Sequence, residues 1–168
     1  CGNSFKNKSN MLTLRRATLL DSELYYQWAN DALVRAQSFN TVAIDHDTHT
    51  KWFAERINNP DFYFYIFQNE SKQNVGQVRI TKDKDNTAII GVSIDSMHRG
   101  KGYATQILNM ASDNFLTENP PYTVYAYIKK SNGASIHSFI KANFVFEKKL
   151  IYQDQPSVSY IKTIEQCK

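Results

Sequence analysis

Arg99-Gly100-Lys101-Gly102-Tyr103-Ala104 sets two glycines among two cations, where a strand-like run through Val92-Ser93-Ile94-Asp95 gives way to a helical pattern. The first amides of a helix have no intrahelical partner and carry the positive end of its dipole, so such a junction attracts anions. Gly100 and Gly102 let a ligand approach the backbone closely, and Arg99 and Lys101 add charge beside the donors. The chemistry expected here is phosphate or diphosphate binding. No Gly-Lys-Ser/Thr follows at P-loop spacing, and the third glycine of a dinucleotide fingerprint is missing. Taken alone, the loop could equally be a solvated turn.

Proton handling has three candidates. His49, at the start of a helical segment, has an ordinary pKa of about 6.5 and can accept a proton near neutrality. Asp95 ends the strand before the loop, and Glu55 lies on the same helical segment as His49. Cys1 and Cys167 are the only cysteines; their separation matches neither a metal site nor a disulfide framework, which points to no metal and to a reducing, cytoplasmic setting.

Alternation and helical spacing define the elements that must position these groups. Leu12 to Ala17 reads as a strand, and a helix is expected from Asp21 through Ala32, with Leu20, Leu24 and Trp28 on one face. Asp45 or Asp47 caps a second helix, which Asn58-Asn59-Pro60 stops. Phe62–Gln68, Val75–Ile80 and Thr87–Asp95 form a three-stranded meander. A helix over 102–117 leads to a strand at Thr123–Ile128, a helix at Asn132–Ala142, and strands at Phe144–Tyr152 and Val158–Ile164 with a turn at Asp154-Gln155-Pro156. The order predicts an α+β fold: one mixed sheet of six or seven strands flanked by four helices, antiparallel first and then parallel across the crossover helix.

At 168 residues the chain suits one domain, 11–168, with the polar segment 1–10 set aside as a tail or linker. Its apolar runs are far shorter than a bilayer span of about 18 residues. Twenty basic against 16 acidic residues give a net charge of +4, without the charge blocks of a nucleic-acid binder. Neither a membrane nor a nucleic acid is expected as a partner.

Arg99, Gly102 and Ala104, directly after the central strand, resemble the Arg/Gln-x-x-Gly-x-Gly/Ala signature of the GNAT superfamily of N-acetyltransferases. The run Asn132-Gly133-Ala134-Ser135-Ile136-His137-Ser138-Phe139-Ile140-Lys141-Ala142-Asn143-Phe144 is similar to that family's Asn-x-x-Ala-x-x-x-Tyr-x-x-x-Gly-Phe. The resemblance implies acetyl-CoA as co-substrate. Its pyrophosphate would lie on the amides of Arg99, Gly100, Lys101, Gly102, Tyr103 and Ala104, and its arm against the backbone of Ile94 and Ser96. Asn132, Ser135 and Phe139 would lie on the other side. It also implies direct transfer to an amine, with a backbone N–H near Ile94 polarising the thioester; of the proton-handling candidates His49, Asp95 and Glu55, His49 is the first choice as base. Asn143 stands in place of the family's glycine, a tolerable left-handed cap. Phe139 stands where the family's proton-donating tyrosine usually is. Tyr125, Tyr127, His137 and Ser138 lie near it in sequence, though His137 should face elsewhere on the helix.

Trp28-Ala29-Asn30-Asp31-Ala32-Leu33-Val34-Arg35, Ser38-Phe39-Asn40 and His49-Thr50-Lys51-Trp52-Phe53 resemble nucleotide-sugar N-acetyltransferases of the pseudaminic or legionaminic type. That likeness implies a small-molecule acceptor, the 4-amino group of a UDP-linked amino sugar, with Arg35, Asn40, His49 and Arg79 as candidate contacts. Trp28, Trp52 and Phe53 also fit a plain core reading. A ribosomal-protein-type N-terminal acetyltransferase and a catalytically idle CoA-binding module are the alternatives. A homodimer is compatible with all three.

Overall fold

The structure, a computed structural model, describes residues 11–167, so the segment 1–10 lies outside the described residues. Strand β1 (Thr13–Arg16) leads through a short 3-10 turn to helices α1 (Ser22–Ala29), α2 (Ala32–Gln37) and α3 (His46–Arg56). Strands β2 (Phe62–Gln68), β3 (Asn74–Lys82) and β4 (Thr87–Ile94) follow, then α4 (Tyr103–Glu118), β5 (Thr123–Lys129), α5 (Gly133–Lys141), β6 (Val145–Tyr152) and β7 (Gln155–Lys162). The seven strands form one sheet in the order β1-β2-β3-β4-β5-β7-β6. Only β4 and β5 pair in parallel, on either side of the α4 crossover.

Five α-helices are present among the described residues rather than four, because the expected 21–32 helix breaks at Asn30-Asp31. The Asp31 carboxylate accepts from the Leu33 and Val34 amides and starts α2 as a new helix. Asp45 caps α3 through the Thr48 amide. Asn143 takes a left-handed φ of 65°, and the Phe144 amide closes back on the Phe139 carbonyl as in a Schellman cap. The β6–β7 turn lies at Gln153 and Asp154, both left-handed, so Gln155 and Pro156 belong to β7 and not to the turn expected at 154–156. Two successive left-handed residues give the tight hairpin whose twist matches its strands.

Helix α4 covers one sheet face, where Ile107, Leu108, Ala111 and Phe115 pack on Val78, Ile80 and Val124. Helices α1 and α3 cover the other face over β2 and part of β3, where Tyr25, Trp28 and Phe53 pack on Phe64 and Ile66, and α1 also reaches β4. Each such ring or branched chain taken fully out of water contributes about 2 kcal/mol. Lys162 of β7 is fully buried and is bonded to Asp113 (2.6 Å), Ser112 (3.0 Å) and Asn109 (3.1 Å) of α4. Toward β5 the face carrying α1 and α3 opens into a cavity.

Candidate active site

Strands β4 and β5 pair only from Thr87 to Ile89 and then splay. The Asp95 amide donates to the Val75 carbonyl. By antiparallel alternation the amides of 91 and 93 also turn toward β3, which leaves the backbone of Ile90, Val92 and Ile94 facing the wedge. A cavity of about 1150 Å³ fills this wedge and the uncovered sheet face. Arg99, Gly100, Gly102, Tyr103 and Ala104 reach one part of its wall, and Ile94, Asn132, Ser135 and Phe139 line it as well.

Gly100 (φ 73°) and Gly102 (φ 77°) hold left-handed backbone, and a Cβ on either would meet open space. The loop therefore needs glycine for conformation, and its concave side is free for a ligand on the first amides of α4. The wall does not include Asp95, Ser96 or Lys101. The Asp95 carboxylate is instead spent on structure, accepting from Trp28 Nε1 (2.9 Å) and from the Met97 amide (3.0 Å). Arg99 pairs with Asp31 at 2.6 Å, which ties the loop to the start of α2. Asn132 caps α5 by accepting from the Ser135 amide.

The four candidate acceptor contacts all line the cavity but differ in what they have free. Arg35 donates to the carbonyls of Ala29, Asn40 and Val42 and to Ser38 Oγ, which makes it the organiser of the loop after α2. The Asn40 side chain accepts from the Val42 amide in the same loop. His49 is no surface residue: it is 3% exposed, and its Nε2 lies 3.0 Å from the Ser22 carbonyl. Since a carbonyl only accepts, Nε2 carries the proton and Nδ1 is the acceptor of the neutral ring. Burial pulls the His49 pKa below its ordinary value. Arg79 lies over the Trp52 ring at 5.4 Å, and its pKa is lowered by burial, with no carboxylate near enough to offset that effect.

Phe139 is buried edge-on against Phe144, so its position holds a ring without a proton. His137 is exposed yet contributes to the wall, as do Ser138 and Lys141. Facing away from Phe139 on the helix does not remove His137 from the groove. Tyr127 stacks on Tyr152 at 4.2 Å, and Phe39 meets Tyr152 edge-on at 4.8 Å, so the loop after α2 closes onto the far wall. Lys129 strengthens that closure by donating to the Ala36 carbonyl. Among the described residues no group of three or more His, Cys, Asp or Glu could hold a metal ion, and no helix is long and apolar enough to cross a membrane.

A family model described as an acetyltransferase (GNAT) domain matches residues 11–145. The chain belongs to the GNAT acetyltransferase family. The GNAT domain is also similar to "Probable N-acetyltransferase YjcK" of Bacillus subtilis (strain 168), 25% identical over 116 residues, 67% of this chain and 64% of that protein; the match thus spans just under two thirds of the relative. Among solved structures it is similar to a spermidine N-acetyltransferase from Vibrio cholerae in complex with CoA and spermine. There the TM-score is 0.82 at 19% identity, covering 92% of this chain and 96% of that one. An aminoglycoside acetyltransferase in complex with coenzyme A and kanamycin gives a TM-score of 0.78 at 16% identity, covering 93% and 96%.

The GNAT domain also lines its cavity with Gln77, Ser93 and Gly91, which belong to neither signature. The signal was present in β3: polar Gln77, Arg79 and Thr81 alternate with Val78 and Ile80, so one face of a buried strand is polar. Two buried side-chain atoms of wall residues have no protein partner, Gln77 Oε1 and His98 Nδ1.

Proposed function

We propose that the chain is an acetyl-CoA-dependent N-acetyltransferase acting in the cytoplasm on a primary amine of a nucleotide-linked amino sugar, the 4-amino group of a UDP-linked sugar. The observation that carries the reading is one continuous cavity with the glycine loop and α4 amides on its wall and, among the described residues, no Asp or Glu on that wall. The cavity's conformationally open glycines and free backbone edge fit a diphosphate followed by a narrow amide-bearing arm. Spermine and kanamycin, bound by the solved neighbours, are polycations, and a wall without carboxylates gives such acceptors no counter-charge.

Bound acetyl-CoA would supply the activated acyl group. Gly102, Tyr103 and Ala104 bind its diphosphate through their amides, while Val92 and Ile94 offer β4 backbone to the arm. The Ile94 N–H is the candidate donor to the thioester carbonyl, a preorganised contact of a kind that contributes about 3 kcal/mol. His49 Nδ1, neutral at pH 7 because of burial, takes the amine's proton. Phe139 has no proton to give, and a leaving thiolate with a pKa of about 8.5 needs none.

Calorimetry with acetyl-CoA and mass spectrometry of a UDP-linked 4-amino sugar test this reading. The wild type binds CoA and adds one acetyl group to the sugar, and Gly102→Trp does neither. CoA binding without acetylation of any amine would leave the idle-module alternative standing.

A further inference from the structure

We infer that Arg79 on the cavity floor binds an oxyanion of the acceptor, a phosphate or a carboxylate, and thereby selects anionic amines over polyamines. This rests on the reading of the cavity as the acceptor site and specifies what the acceptor must carry.

Arg79 lies on the sheet face shared with α1 and α3, where it emerges beside Trp52 as the helical layer ends. None of its guanidinium donors has an acceptor among the described residues, and the groups around it are Tyr25, Arg35, Arg56, His49 and the Trp52 ring, with no carboxylate among them. Arg79 is half-buried, and a guanidinium partly shielded from water in a concave wall gains from an oxyanion that can pair with its planar donors. The other two arginines on the wall are committed, Arg35 to loop carbonyls and Arg99 to Asp31.

The surroundings of Arg79 form a built site rather than an isolated charge. Gly91 pairs directly with Arg79 across β3 and β4, and a Cβ there would stand 3.7 Å from Arg79 Nη2, so glycine leaves the guanidinium uncovered. Gln77, two residues along the same face, is 8% exposed and bonded through Nε2 to Ser93 Oγ at 3.2 Å. Its Oε1 is buried without a donor. Arg79 and Gln77 stand about 7 Å apart along the strand backbone on one face, and a planar five-donor fork beside an unfilled acceptor suits a ligand with an oxyanion at one point and an N–H or O–H at another. Sugar phosphates and sugar acids have that chemistry, and polyamines lack the first half of it.

Calorimetric titration of the CoA-loaded protein with UDP, glucuronate and spermidine tests the assignment. UDP reports a phosphate site and glucuronate a carboxylate site. At least one anion is expected to bind, to lose about tenfold or more in affinity in Arg79→Gln, and to recover part of it in Arg79→Lys, with CoA affinity unchanged. Thr81→Asp keeps the guanidinium but adds a carboxylate on the same face two residues away, and is expected to weaken the same anion. The inference is overturned if neither anion binds, if spermidine binds more tightly than both, or if Arg79→Gln and Thr81→Asp leave the anion's affinity unchanged. The titrations are repeated without CoA, so a protein that does not bind CoA contradicts the acetyltransferase reading and still reports on Arg79.

Discussion

His49 and Gly102 show how one side chain's surroundings set its chemistry. Burial depresses the His49 pKa, so in the unfolded chain, with a pKa of about 6.5, the ring takes up a proton that the folded chain refuses. The stability linked to His49 is fully present above that pH and is lost as pH falls below it. His46 has the opposite sign, since its contact with Glu23 raises its pKa, and its contribution fades as pH rises. The melting temperature of the wild type should therefore fall from about pH 7.5 to pH 5 more steeply than that of His49→Gln, which keeps an N–H for the Ser22 carbonyl. The same variant should lose about 100-fold in kcat with CoA affinity intact; unchanged kinetics would confine His49 to packing. Gly102→Ala should cost about 1 kcal/mol in urea unfolding from its left-handed φ alone, since a Cβ there meets nothing. Motif spacing made the glycine loop legible, but it could not show that Asp95 spends its carboxylate on Trp28 and the Met97 amide, a contact between residues 67 positions apart.

The break between α1 and α2 is the element on which loop and acceptor wall meet. Asp31 caps α2 and also pairs with Arg99, so two substitutions separate its roles. Asp31→Ala should lower stability by about 1 kcal/mol through loss of the cap. Asp31→Asn should keep the cap, lie close to wild type in urea unfolding, and still change CoA affinity through a released Arg99. Wild-type CoA affinity in both variants would mean that the ion pair does not position the loop. The sequence offered Asp45 or Asp47 as the cap of α3, because a polar run precedes Trp52 and Phe53, and Asp45 is the one that caps. It missed Asp31 because Leu33 and Val34 continue the apolar pattern of Leu24 and Trp28, and periodicity alone does not register a cap inside it. At Gln155-Pro156 residue type outvoted geometry: turn propensity drew the turn two residues late, whereas the hairpin closes on left-handed Gln153 and Asp154.

Across the whole molecule, the parallel β4–β5 pair follows from the α4 crossover, and the cavity from the splaying of β4 and β5 beyond Ile89 under a sheet face that helix covers only in part. The pair Lys162–Asp113 fastens the second half of the sheet to α4. Asp113→Ala, which strands a fully buried ammonium, should cost about 3 to 5 kcal/mol in urea unfolding with an unchanged m-value. A loss below about 1 kcal/mol would mean that water reaches Lys162. The antiparallel meander and the parallel β4–β5 pair were legible, since hairpin spacing and a crossover helix leave few topologies, whereas the placement of β7 between β5 and β6 was not. The missing carboxylates were not, because the chain's 16 acidic residues look unremarkable until folding directs them away from one wall. That wall carries the central claim, and thiol release from acetyl-CoA tests it most directly when UDP-linked 4-amino sugar, spermidine and kanamycin are compared under the same conditions. The predicted result is turnover with the nucleotide-linked amine and none above background with the two polycations; turnover with spermidine or kanamycin in preference to the nucleotide-linked amine would contradict it.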